Sequence, residues 1–144
     1  MSQAPTLSDL IKELHLDSIV PVKLESERLG APDPANQEFQ ISWNLAFPDG
    51  DPLQQIEGQW TFRPRLIFES AQNGITIFRQ TTIFSIQFGL KDPLKIEELW
   101  QDIKLQQIFR DKQILKTLWP VFRQQVITGM SSVGLPYVTL PWIV

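Results

Sequence analysis

One change of period divides this chain. Between Ser18 and Phe88 the apolar residues mostly recur at every second position, whereas from Asp92 onward they recur three and four apart. The first pattern belongs to strands with one face on a core and the second to helices with one face on a core. Strands grouped first and helices grouped last specify an α+β chain and exclude alternating βαβ units around a parallel sheet. At 144 residues one domain accounts for the whole sequence. Within it, 1–17 are expected as an N-terminal arm, 18–90 as an antiparallel sheet, 91–134 as helices packed on one face of that sheet, and 135–144 as an extended tail.

Thr6 or Ser8 can cap a short helix through Leu7, Leu10, Ile11 and Leu14. In the first strand Val20, Val22 and Leu24 are expected on one face and Lys23, Glu25 and Glu27 on the other, with Pro21 marking an edge or a strand start. Gly30-Ala31-Pro32-Asp33-Pro34-Ala35-Asn36 reads as a crossing loop, because its prolines remove ladder donors and extend the residues before them. Phe39, Ile41, Trp43, Leu45 and Phe47 then alternate with Gln40, Ser42 and Asn44 and supply one wall of the core. Asp49-Gly50-Asp51 between two prolines reads as a turn. A third strand region, Ile56 to Phe68, carries Trp60, Phe62, Leu66 and Phe68 in phase, with Pro64 out of phase. The hairpin signal Gln72-Asn73-Gly74 leads into a last strand, Ile75 to Phe88, whose apolar residues in both phases imply cover on both faces in places. Four strands are therefore expected.

Asp92-Pro93 is a helix start, with Asp as cap and Pro where no donor is lost. Leu94, Ile96, Leu99, Trp100, Ile103, Ile108 and Phe109 form an imperfect stripe that suggests two short helical pieces. A stronger helix is expected to begin near Thr117, placing Pro120 in its first turn. Its stripe is Leu118, Trp119, Phe122, Val126, Met130 and Val133, and Gly134 closes it.

Catalytic chemistry finds little support in these residues. The chain has no cysteine and a single histidine, His15, so thiolate sites and His-rich zinc sites are excluded. Glu25 with Glu27 and Asp49 with Asp51 read as a solvated strand face and a turn, and Glu97 and Glu98 as first-turn helix acids. No Gly-x-Ser-x-Gly elbow and no glycine-rich phosphate loop occurs. The formal charge of −3 with scattered Lys and Arg leaves no electrostatic footprint for nucleic acid. No signal peptide and no membrane-length apolar run is seen, so a cytoplasmic protein without membrane insertion is expected. What remains is aromatic: five Trp and nine Phe supply large apolar surface, of the kind that marks a binding site or a subunit contact. Trp100, Tyr137 and Trp142, at a helix flank and in the tail, are placed best for such a role.

Two segments resemble the SecB family of export chaperones. One is the C-terminal run Leu118-Trp119-Pro120-Val121-Phe122-Arg123, followed by a helix, Gly134-Leu135-Pro136 and Leu140-Pro141. The other is Thr82-Ile83-Phe84-Ser85-Ile86-Gln87-Phe88-Gly89, preceded by Gln80, which is similar to the family's Gly-Ile-Phe-x-Ile-x-Gly strand. The order of elements agrees over most of Ser18 to Pro141. The resemblance implies a four-stranded antiparallel sheet with C-terminal helices and an ATP-independent holdase that needs no cofactor. It also implies unfolded polypeptide clients, a homo-oligomer (dimer or tetramer), and handover to a translocation motor. The client-binding positions it implies are Trp43, Phe47, Leu135, Pro136, Tyr137, Leu140 and Trp142. Family members carry Glu at the place of Ile77, as a dock for the motor, and continue past the place of Val144 with another helix and an acidic tail. Both departures favour the chaperone fold over the export role. A dedicated single-partner adaptor, of the antitoxin or assembly-chaperone type, is the second reading. A small hydrophobic-ligand carrier or an enzyme is the third.

Overall fold

A computed structural model describes residues 4–36, 38–48, 52, 58–136 and 140–141. The expected α+β architecture is present: an antiparallel sheet, with helices on one face. Helix α1 (Leu7–Ile11) is capped by Thr6 in a capping box with Asp9, and the backbone N–H of Thr6 holds the Asp9 carboxyl below its usual range. Its Leu10 is fully buried, so this short helix docks on the core.

The sheet comprises β1 (Leu14–Arg28), β2 (Gln40–Ala46), β3 (Gln59–Phe62), β4 (Arg65–Gln72) and β5 (Ile75–Leu90). Its lateral order is β1-β5-β4-β2, and β3 pairs with β5 beyond the end of β4. The five strands thus fill four lanes, a correction to the expected four strands. The third strand region breaks at Pro64, which has no N–H for the ladder, and its carbonyl accepts from Phe84 N–H (3.0 Å). Asn73 (φ 53°) and Gly74 (φ 76°) make the β4–β5 hairpin turn with both central residues left-handed.

Alternation decides which face is covered. Leu66, Phe68, Phe78, Phe84, Ile86 and Phe88 lie beneath the helices and are buried. Strand β1 departs from the expected pattern. Its register slips between Pro21 and Lys23, so Val20 lies opposite Ser85 while Leu24 lies opposite Thr82, on the helix side. Val20, Val22 and Leu24 therefore do not share a face, because a bulge inserts one residue and inverts the phase beyond it. All three are about half exposed, at 49, 57 and 52%.

Helices α2 (Pro93–Leu99) and α3 (Ile103–Ile108) are the two short pieces, capped by Asp92 and Asp102. Helix α4 (Leu115–Ser132) does not begin near Thr117. It continues from α3 through a π-helical turn, Phe109–Ile114, which leaves Pro120 inside the helix rather than in a first turn. Pro120 is on the solvent side, where the carbonyl it leaves unbonded can meet water. The wide turn keeps one stripe on the sheet: Leu105, Phe109, Ile114, Leu118, Phe122, Val126 and Met130 are buried, and the single five-residue step falls within the π turn. Gly134 (φ 75°) ends α4, with Leu135 N–H bonded to Met130 O (2.9 Å) and Gly134 N–H to Ser131 O (3.1 Å). Gly129 allows α4 to approach β5, since a Cβ there would lie 2.0 Å from Gln80 Oε1.

Candidate functional site

One buried amide ties the β1–β2 crossing loop to the β4–β5 hairpin. Gln72, 3% exposed, accepts through Oε1 from Asp33 N–H (2.7 Å) and donates through Nε2 to the Asn36 carbonyl (2.6 Å). Beside it Asn36 Nδ2 donates to Asn73 Oδ1 (2.8 Å), and Asn73 Nδ2 donates to Asp33 Oδ2 (3.2 Å). Ala35 N–H donates to the other Asp33 oxygen (2.9 Å). A loop rich in proline and held by this network is rigid before anything binds to it, which lowers the entropy cost of binding.

The network frames a pocket of about 320 Å³ in which Pro32, Pro34 and Phe39 face Pro136 from the segment after α4. Its apolar walls come from three prolines and one aromatic ring. Asp33 is the one titratable residue in that lining, and both its carboxylate oxygens already accept hydrogen bonds. This chemistry suits contact with an apolar segment of polypeptide. Among the described residues, no group of three His, Asp or Glu side chains is placed to hold a metal ion.

The expected site residues divide into three sets. Pro136 is exposed and lines the pocket. Leu135 and Leu140 are buried in the core at 4% and 1%, where they anchor the tail. Trp43 and Phe47 are half-buried; Trp43 packs against Trp119 with the rings tilted by 56° and their centroids 4.8 Å apart, and Phe47 meets Phe62 edge-on at 6.4 Å. The tail backbone is pinned to α4 by Trp119 Nε1 donating to Pro141 O (2.6 Å) and Arg123 Nε donating to Leu140 O (3.4 Å). Tyr137 and Trp142 lie outside the described residues, as does the Asp49-Gly50-Asp51 turn.

Trp100 belongs to a second concavity. With Trp60, Leu90, Pro93, Leu94 and Glu97 it lines a pocket of about 500 Å³, and the Arg110 guanidinium stands 5.4 Å above its ring. By pattern alone Pro32 and Pro34 read as loop, Phe39 as core and Gln72 as part of a turn. The available signal was phase: Gln72 continues the buried series Leu66, Phe68, Ser70, and an amide in that series needs partners.

No protein-family profile matches the sequence, and no curated protein matches it. Among solved structures, the chain is similar to the SecB-like chaperone Rv1957 of Mycobacterium tuberculosis, solved in complex with a ChAD peptide from the antitoxin HigA1. The TM-score is 0.69 at 17% sequence identity, over 95% of each chain. The chain has the SecB-like fold.

Proposed function

We propose that this protein is an ATP-independent chaperone that binds non-native polypeptide through apolar grooves, acts in the cytoplasm and works as a homo-oligomer. The observation that carries this reading is the crossing-loop pocket, which is apolar, held by its own hydrogen bonds and lined by no free acid or base. Such a site recognises hydrophobic segments without a sequence code, because its affinity comes from desolvation of apolar surface. Phe39 and Pro136 are the proposed contact residues there, with Trp43 and Phe47 flanking them. No cofactor has a role in that chemistry.

Handover to an export motor has less support. Ile77, at the place where an acidic dock is implied, is 2% exposed and lies 3.4 Å from where a Cβ on Gly30 would stand. A second reading, a dedicated single-partner adaptor, is favoured by the antitoxin peptide that the structurally similar Mycobacterium tuberculosis protein binds.

The test dilutes two unrelated chemically unfolded proteins into buffer with this protein and no nucleotide, and follows light scattering. Suppression of both at near-stoichiometric ratios, weakened in Phe39→Ala, is expected. If the folded protein suppresses neither, the general chaperone reading fails and the adaptor reading replaces it.

A further inference from the structure

We propose that Asn73 is a self-modifying site: its side-chain amide is lost by attack from Gly74, and the carboxylate formed there unlatches the crossing loop from the β4–β5 hairpin. The chemistry stands apart from the proposed function; its consequence for clients rests on the crossing-loop pocket as their site. Of the three asparagines, Asn36, Asn44 and Asn73, only Asn73 precedes a glycine. Asn73 and Gly74 are both exposed in the turn. The closing bond of such a turn joins its first and fourth residues, Gln72 and Ile75, and leaves the Gly74 N–H outside it. Gly74 has no Cβ to shield its nitrogen, and beyond its chain neighbours no heavy atom stands within 4 Å of where one would lie.

The step needs no second reactant but water. Gly74 N attacks Asn73 Cγ, which makes the reaction intramolecular through a five-membered ring. The N–Cγ bond forms, the Cγ–Nδ2 bond breaks, and Nδ2 leaves as ammonia with the proton that Gly74 N gives up. Water then adds to one carbonyl of the cyclic imide and returns a proton to Gly74 N. Addition at Cγ gives aspartate, and addition at the backbone carbonyl gives isoaspartate. Two neighbours assist. Asn36 Nδ2 donates to Asn73 Oδ1 (2.8 Å), the oxygen on which negative charge develops during attack. Asp33 Oδ2 accepts from Asn73 Nδ2 (3.2 Å), so a carboxylate stands beside the nitrogen that leaves protonated.

The same two contacts decide what the product does. The Asn36 amide donates to a carboxylate as readily as to an amide oxygen, so that bond survives. The Asp33 contact inverts, because a donor facing its carboxylate is replaced by a second negative charge. Asp33 is the residue through which the loop is tied, by its N–H to Gln72 Oε1 and by its other oxygen to Ala35 N–H. Repulsion there pushes Pro32 and Pro34 out of the pocket wall. Isoaspartate adds a backbone methylene to a two-residue turn and disturbs the hairpin as well.

Folded wild-type protein is incubated at mildly alkaline pH beside the same protein in urea, and both are digested with trypsin. The peptide Leu66–Arg79 contains Asn73 and no other asparagine. Its conversion to the acid, assigned by fragmentation and by isoaspartyl methyltransferase labelling, should rise over days in the folded sample while Asn36 and Asn44 stay amides. Asn36→Ala should slow the conversion severalfold when folded and not in urea; equal folded rates overturn the assistance. A folded protein that keeps its Asn73 amide while the urea sample loses it overturns the site. For the latch, Asn73→Asp stands for the first product. Glu38 is exposed just beyond the loop and its N–H donates to Asn36 Oδ1 (2.9 Å), so glutamyl-protease cleavage after Glu38 reads the loop directly. Cleavage should be severalfold faster in Asn73→Asp and return to the wild-type rate in Asp33→Asn/Asn73→Asp, which again sets a donor opposite a carboxylate. Equal cleavage in all three overturns the latch. Suppression of aggregation of a urea-unfolded protein should fall and recover in the same order; full suppression by Asn73→Asp despite faster cleavage would overturn the link to clients and leave the modification standing.

Discussion

Gln72 shows how much one side chain can decide at the residue scale. Its amide is the single buried group that bonds both ends of the Asp33–Asn36 turn, and neither bond has a substitute nearby among the described residues. Gln72→Ala leaves the Asp33 N–H and the Asn36 carbonyl to find water, and losing buried partners of this kind costs roughly 1–3 kcal/mol. The expected outcome is a lower urea midpoint together with weaker client binding, because Pro32 and Pro34 lose their fixed positions. Gln72→Glu is the informative companion: it keeps an acceptor for Asp33 N–H but sets a carboxylate against the Asn36 carbonyl, so it should destabilise further at neutral pH. Equal client affinity in both variants and wild type would separate the amide from the pocket.

Elements were legible where local chemistry sets them and illegible where insertion or long-range packing does. Strand β2 alternates without interruption, Asn73-Gly74 supplies two left-handed residues, and Asp92-Pro93 starts a helix; each follows from residues next to one another. The bulge in β1 and the π turn before α4 each add one residue and invert or advance the phase, which no window of fixed period detects. The pocket was legible only in part. Pro136 stood out in the tail, but its meeting with Phe39 and the crossing loop depends on packing between segments about a hundred residues apart in the sequence. The π turn makes a prediction of its own. Deleting exposed Lys112 turns the five-residue step between Phe109 and Ile114 into a four-residue step and leaves the stripe on the sheet. That variant should melt within a few degrees of wild type. Deleting Gln124 instead rotates Val126 and Met130 off the sheet, and each buried side chain of that size is worth about 1.5–3 kcal/mol. Thermal unfolding followed by tryptophan fluorescence compares the two; a stability loss in the Lys112 deletion equal to that of the Gln124 deletion would mean that the π turn is required for more than phase.

At the scale of the whole molecule, the proposed client pocket is framed by the crossing loop after Arg28 and built within one chain, so each copy in a homo-oligomer carries its own. Client binding and assembly can therefore be uncoupled. A peptide long enough to fill one pocket touches one subunit, and its affinity depends on Phe39, Pro136 and the Gln72 frame alone. A long unfolded chain reaches the pockets of more than one subunit, and the second contact is made at the effective concentration set by the span between them, which multiplies affinity without any new kind of contact. Dilution until light scattering gives the mass of one chain separates the two cases. The monomer should bind a short apolar peptide with undiminished affinity and hold a long unfolded client at least about tenfold more weakly, the lower end of what linked sites provide. Titration of both ligands by fluorescence anisotropy measures the difference. Equal loss on both would place the pocket under the control of assembly, and no loss on either would mean that one pocket carries the whole of client binding.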